Sequence, residues 1–85
     1  MQTIHNWIVC RKGLSVEGDY GVFIKGWFKS DTYPSGAVQY IGPIWKDPDF
    51  VTHTVVLKDG TTWGLGKPDP VYRAAYRDQF LNWID

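Results

Sequence analysis

Along most of this chain, apolar and polar side chains alternate in short runs separated by turn residues, and only the C-terminal end changes to a helical period. Residues 3–11 place Ile4, Ile8 and Cys10 on one face and His5, Trp7 and Val9 on the other. Both faces are fairly apolar, as in a strand that is central or covered on two sides. Residues 22–30 alternate Val22, Ile24, Gly26 and Phe28 against Phe23, Lys25, Trp27 and Lys29. The lysines mark the second face as the wet one, and a mid-strand glycine such as Gly26 signals a bulge or a close backbone approach. Residues 37–46 predict a third strand, interrupted at Gly42-Pro43. Proline cannot donate to a sheet ladder, so this strand lies at an edge or bends there. Residues 52–58 and 61–65 flank Asp59-Gly60, a pair suited to a type I′ turn, and predict a tight hairpin around which the sheet is organised.

The breaks are equally legible. Leu14 to Gly21 carries Glu17-Gly18-Asp19 and reads as a loop, as do Asp31 to Gly36 and Asp47 to Phe50. Asp69-Pro70 then opens a helix over residues 70–84, with Asp69 as N-cap and Pro70 at the first helical position. Tyr72, Ala75, Tyr76, Phe80 and Trp83 form its apolar stripe, widened by Leu81 and Ile84. Arg73, Arg77, Asn82 and Asp85 occupy the remaining surface. The pattern therefore predicts a mainly β (α+β) single domain, residues 1–85. About five short antiparallel strands form a curled SH3-like sheet or a meander, with one C-terminal α-helix packed on it.

Composition changes this picture in one respect. The chain has 85 residues, and five Trp, five Tyr and four Phe are more rings than so small a core can hide. Some must face solvent and are available for contact. The five tryptophans recur at nearly regular intervals, but the residues around them share no pattern, so they read as one large aromatic per element and not as an internal repeat. Nine basic and nine acidic residues cancel, which argues against nonspecific binding to a phosphate backbone while leaving room for a local basic patch. Cys10 is the only cysteine and can form no intrachain disulfide, which fits a reducing compartment. No secretory signal and no membrane-length apolar run is visible, so the expected location is the cytoplasm and no membrane partner is expected.

Reactive groups are few. Cys10 paired with His5 or His53 is the one nucleophile–base combination available, yet Cys10 sits in an apolar strand, where an inert thiol is the usual outcome. The two histidines lack the spacing of metal ligands, and no cofactor motif is present; Gly64-Leu65-Gly66-Lys67 is too short for a phosphate loop. Asp47, Asp49 and Asp69 read as turn and cap residues. The expectation is a protein that is not an enzyme.

Surface chemistry is what remains. Lys25, Trp27 and Lys29, joined by Tyr33 from the next loop, form an expected aromatic–basic cluster of the kind that holds single-stranded nucleic acid. Packing of Trp27 beneath the helix, with the lysines as a solvated rim, is the alternative. Arg73 and Arg77, one helical turn apart, would suit an acidic partner, and Phe50 and Tyr33 stand at expected loop tips as contact anchors. These seven residues are the expected partner-binding set.

The segments Tyr40-Ile41-Gly42-Pro43-Ile44 and Thr54 to Gly66, within a short, compact and aromatic-rich chain, resemble in style the small accessory proteins carried by phages and prophages. That resemblance implies a stoichiometric binding protein that blocks or redirects a larger complex in the host cytoplasm, as anti-CRISPR and anti-restriction inhibitors do. Three functions follow as expectations. The first is a non-catalytic module engaging a protein or protein complex. The second is a single-strand nucleic-acid binder, and the third is a small enzyme built on Cys10.

Overall fold

The structure, a computed structural model, describes residues 1–13, 20–81 and 83. Five strands form one sheet: β1 (Thr3–Gly13), β2 (Tyr20–Phe28), β3 (Ala37–Ile41), β4 (Thr54–Val56) and β5 (Thr62–Leu65). They lie in the order β3-β2-β1-β5-β4. The loop expected around Glu17-Gly18-Asp19 falls outside the described residues.

β1, the longest strand, is central, as its two apolar faces predicted. β2 pairs antiparallel with one side of it and β3 antiparallel with β2. The all-antiparallel expectation is corrected at the other side: β5 runs parallel to β1, with Thr3 beside Gly64 and Ile4 beside Leu65. The parallel run continues past β5. Gly66 N–H donates to Ile4 O (2.8 Å), Asn6 N–H to Lys67 O (2.8 Å) and Asp69 N–H to Trp7 O (3.0 Å). Parallel pairing requires a crossover, and here the chain leaves β3 at one edge and returns at the other as β4. Gly42 (φ 141°) and a cis Gly42–Pro43 peptide turn it there. Ile44 N–H then donates to Val22 O and Trp45 N–H to Val56 O, both at 2.8 Å.

The expected third strand thus ends at Ile41, five residues before the predicted 46. A bridge between Ile44 and Leu57 spans the gap from this segment to β4. It is too brief to close the sheet, which stays open where an SH3-like curl was expected, and the crossover departs from a simple meander.

The hairpin is present but with different turn chemistry. Gly60 alone carries a positive φ, 90°. Gly60 N–H donates to Leu57 O (3.0 Å) and Leu57 N–H to Thr61 O (2.9 Å). That is a three-residue loop, in which a β-turn is followed by a left-handed glycine bulge, and it replaces the expected type I′ turn. Asp59 Oδ1 accepts from Thr61 N–H (2.9 Å) and from the Thr61 hydroxyl (2.6 Å), which draws the loop to the bulged form.

Alternation on β2 holds: Ile24, Gly26 and Phe28 are buried, Phe23, Lys25 and Trp27 are half-buried, and Lys29, just past the strand, is exposed. On β1 it is broken. The register shifts by one residue between His5, opposite Trp27, and Ile8, opposite Lys25. Asn6 takes φ 50° in this bulge, a conformation asparagine tolerates better than most residues. Ile4, Trp7 and Val9 therefore face the core, and His5, Ile8 and Cys10 face outward. The uniform alternation expected over residues 3–11 is corrected by that one residue.

Trp7 is fully buried and is the hub of the core. Rings of Trp83, Phe80, Phe50 and Tyr72 surround it at centroid distances of 5.6, 5.8, 6.1 and 6.3 Å. Its indole N–H donates to Gly66 O at 2.8 Å. Phe28 and Trp63 pack edge-on at 4.9 Å and extend the same core beneath β2 and β5.

The C-terminal segment begins as predicted. Asp69 Oδ1 accepts the Tyr72 amide at 2.9 Å, and Pro70 starts α1 (Pro70–Ala75). The single rod expected over residues 70–84 is not formed. Tyr76 (φ −119°, ψ 35°) ends α1, and a 3₁₀ turn follows over Arg77–Phe80. In a straight helix the eight-residue step from Tyr72 to Phe80 would advance about 12 Å. Here their rings meet at 5.9 Å. The break folds Phe80 and Trp83 over Trp7, while Tyr76 and Leu81, expected in the buried stripe, are exposed. Ile84, Asn82 and Asp85 lie outside the described residues. No helix among the described residues is long and apolar enough to cross a membrane.

Candidate binding face

The outward face of β1, β2 and β3 gathers rings and cations. Directly opposed residues on paired strands point the same way, so register decides membership. Lys25 lies between Ile8 of β1 and Tyr40 of β3; Trp27 lies between His5 and Val38; Phe23 is opposite Cys10 and Gly21 is opposite Lys12. The Asn6 bulge is what turns Ile8, Cys10 and Lys12 to this side. Without it they would share a face with Gly26 and Phe28.

Cation–π geometry ties the groups together. Lys12 Nζ lies 4.5 Å from the centre of the Tyr40 ring and 5.8 Å from that of Phe23. Lys25 Nζ lies 5.7 Å from Tyr40, and Lys29 Nζ 5.7 Å from Trp27. Phe23 meets Tyr40 edge-on at 6.5 Å. Trp27 separates two open depressions. One, of about 350 Å³, is lined by Asn6, Ile8, Lys25, Val38 and Asp69. The other, of about 500 Å³, is lined by Gln2, His5 and Lys29 among others. Gly36 (φ 88°) lies against the indole so closely that any side chain there would collide with the ring. The loop backbone thereby holds Trp27 in place.

The expected site residues divide. Lys25, Trp27 and Lys29 come together as predicted. Tyr33 does not join them: its ring packs edge-on against Phe28 at 6.3 Å, on the core side of β2. Phe50 lies in the turn closed by the Asp49–Thr54 bridge, as expected, but its ring is half-buried and stacks on Phe80 at 4.7 Å inside the aromatic core. Arg73 is half-buried on α1 and Arg77 exposed in the 3₁₀ turn, so the break at Tyr76 separates a pair expected on one helix. Phe23, Tyr40 and Lys12 belong to the face and were missed. The alternation of Val38 and Tyr40 against Ala37, Gln39 and Ile41 was visible, but which set shares a face with Trp27 depends on register.

The residues weighed for chemistry are placed as follows. Burial pushes the Cys10 thiol up from its ordinary value, against the opposing pull of Lys25 and Lys12. His53, at φ 55°, lies flat on Trp83 at 3.8 Å and serves packing. No group of three or more His, Cys, Asp or Glu is gathered as metal ligands among the described residues. Compared with known proteins, the chain matches no family model, no curated protein and no solved structure.

Proposed function

We propose that this protein is a non-catalytic binding module that engages a macromolecular partner through the outward face of β1, β2 and β3. One observation carries this reading: three rings and three lysines share one sheet face, on which Lys12, Lys29 and Tyr40 are exposed and Phe23, Lys25 and Trp27 half-buried. Rings at a partly exposed, rigid surface are the usual anchors of macromolecular contact, since they add apolar area at small entropic cost. The mode of action suggested by the phage-protein resemblance, stoichiometric engagement of a larger complex in the host cytoplasm, fits a module of this size. The raised Cys10 thiol speaks for binding over nucleophilic chemistry.

A comparison of the parent with a Lys25→Glu/Tyr40→Ala variant tests the proposal. Both positions are on the outward face, so the variant is expected to keep the parent's circular dichroism. Partners retained by the immobilised parent from host lysate, at several salt concentrations, are expected to be lost by the variant. Identical retention by both proteins, or retention of nothing by the parent, would overturn the reading.

A further inference from the structure

From the charge pattern of this face we infer that its partner is a single-stranded nucleic acid, held by stacking on Tyr40 and Trp27 and by phosphate contacts to Lys12, Lys25 and Lys29. The inference rests on the binding-module reading above and names the ligand class. Net charge is zero for the chain as a whole, yet it is unevenly distributed. All nine acidic residues lie outside β1, β2 and β3, whereas the outward face of these strands and the residue after β2 carry Lys12, Lys25 and Lys29. Asp69 lines one depression beside Trp27, with its Oδ1 already engaged by the Tyr72 amide. Among the described residues, a polyanion therefore meets cations on this face with little opposing charge, which the overall balance conceals.

Geometry separates a single strand from other polyanions. Tyr40 is diagonal to Trp27 across the β2–β3 pair, a spacing of about 7–8 Å that gives successive bases a ring each. Lys25 stands beside Tyr40 and Lys29 beside Trp27, so each ring has its own cation, as alternating base and phosphate require. In a duplex the bases are stacked on one another and their faces are unavailable to protein rings; an unpaired strand offers them. The lysines rest over the rings in the free protein, where their contacts are weak enough to be exchanged for phosphates.

Titration of the full chain with oligothymidylate, followed by tryptophan fluorescence, tests the assignment. Quenching is expected, and log K should fall with log salt at a slope of about −2, the value for three neutralised phosphates on a single strand. Lys12→Glu/Lys25→Glu should weaken binding roughly tenfold or more, whereas Lys46→Glu/Lys58→Glu, the same change of charge elsewhere, should have much less effect. Tyr40→Ala should weaken it about fivefold or more. No quenching at low salt, equal weakening by the two charge-reversal pairs, or equally tight binding of a duplex would overturn the inference. If oligonucleotide fails to bind while lysate capture still depends on Lys25 and Tyr40, only the ligand class is wrong. If both fail, so does the binding face.

Discussion

Gly26 and Ile4 are packed so closely that a Cβ on the glycine would lie 2.6 Å from Ile4 Cγ1. The same Cβ would lie 2.7 Å from the His5 carbonyl oxygen, a backbone atom that cannot swing aside. The absence of a side chain at Gly26 lets β1 bulge at Asn6 while Ile4 and Trp7 both remain buried. Gly26→Ala should therefore cost about 1–3 kcal/mol by overpacking. In a domain of this size each kcal/mol lowers the melting temperature by roughly 4–8 °C. Gly13→Ala, where nothing lies within 4 Å of the added carbon, is the control and should melt close to the parent.

Trp7 combines the largest fully buried side chain with a long-range hydrogen bond to Gly66. Trp7→Phe keeps much of the ring packing but leaves the Gly66 carbonyl without its indole donor, and should cost about 1–3 kcal/mol in urea denaturation. Phe80→Ala removes a ring stacked on Phe50 and should cost about 3–5 kcal/mol. Since 85 residues imply a total stability of roughly 4–13 kcal/mol, the second variant loses a large fraction of it and should melt well below the parent. A midpoint unchanged in either would refute Trp7 as the hub.

Asp69 closes the first turn of α1 through the Tyr72 amide. Asp69→Ala should destabilise by about 1 kcal/mol, and Asp69→Ser should recover most of the loss. Equal losses in both variants would show that capping is not the source of the effect.

Two turn carboxylates contribute to the acid limb. The Thr61 hydroxyl and amide hold Asp59 below its ordinary value of 3.8, and the Thr52 and Val51 amides do the same for Asp49. A folded-state pKa below the unfolded one favours the native state when the carboxylate is ionised. This contribution is complete above the unfolded value and disappears as pH falls through the folded values. Asp59→Asn and Asp49→Asn should each make stability less steep in pH below about 4. Thermal melts between about pH 2 and pH 6 would reveal the change, and parallel curves for parent and variants would exclude it.

Cys10, its thiol pushed up by partial burial, should react with iodoacetamide more slowly in the native protein at pH 8 than in denaturant. Equal rates would mean that the thiol is neither shielded nor shifted.

Local chemistry alone was enough for the approximate places of the five strands, the edge position of β3, the Asp69 cap and the lysine-bearing face of β2. Each depends on a residue's own backbone preference or on side-chain alternation, which is independent of distant neighbours. Lys25, Trp27 and Lys29 were legible for that reason. Alternation shows which side of a strand is dry but says nothing of the direction or register of its partner. Parallel pairing of β5, and the arrival of Tyr40 and Lys12 beside Trp27, were thus decided by the assembled sheet. The Asn6 bulge was half legible: Gly26 announced a close approach, but the residue added to β1 is visible only when both strands are paired. The helical stripe misled because Phe80 and Trp83 gain burial by folding over Trp7, at the cost of a break at Tyr76. Tertiary contact overrode the period where six helical residues had no buried face of their own to hold them straight.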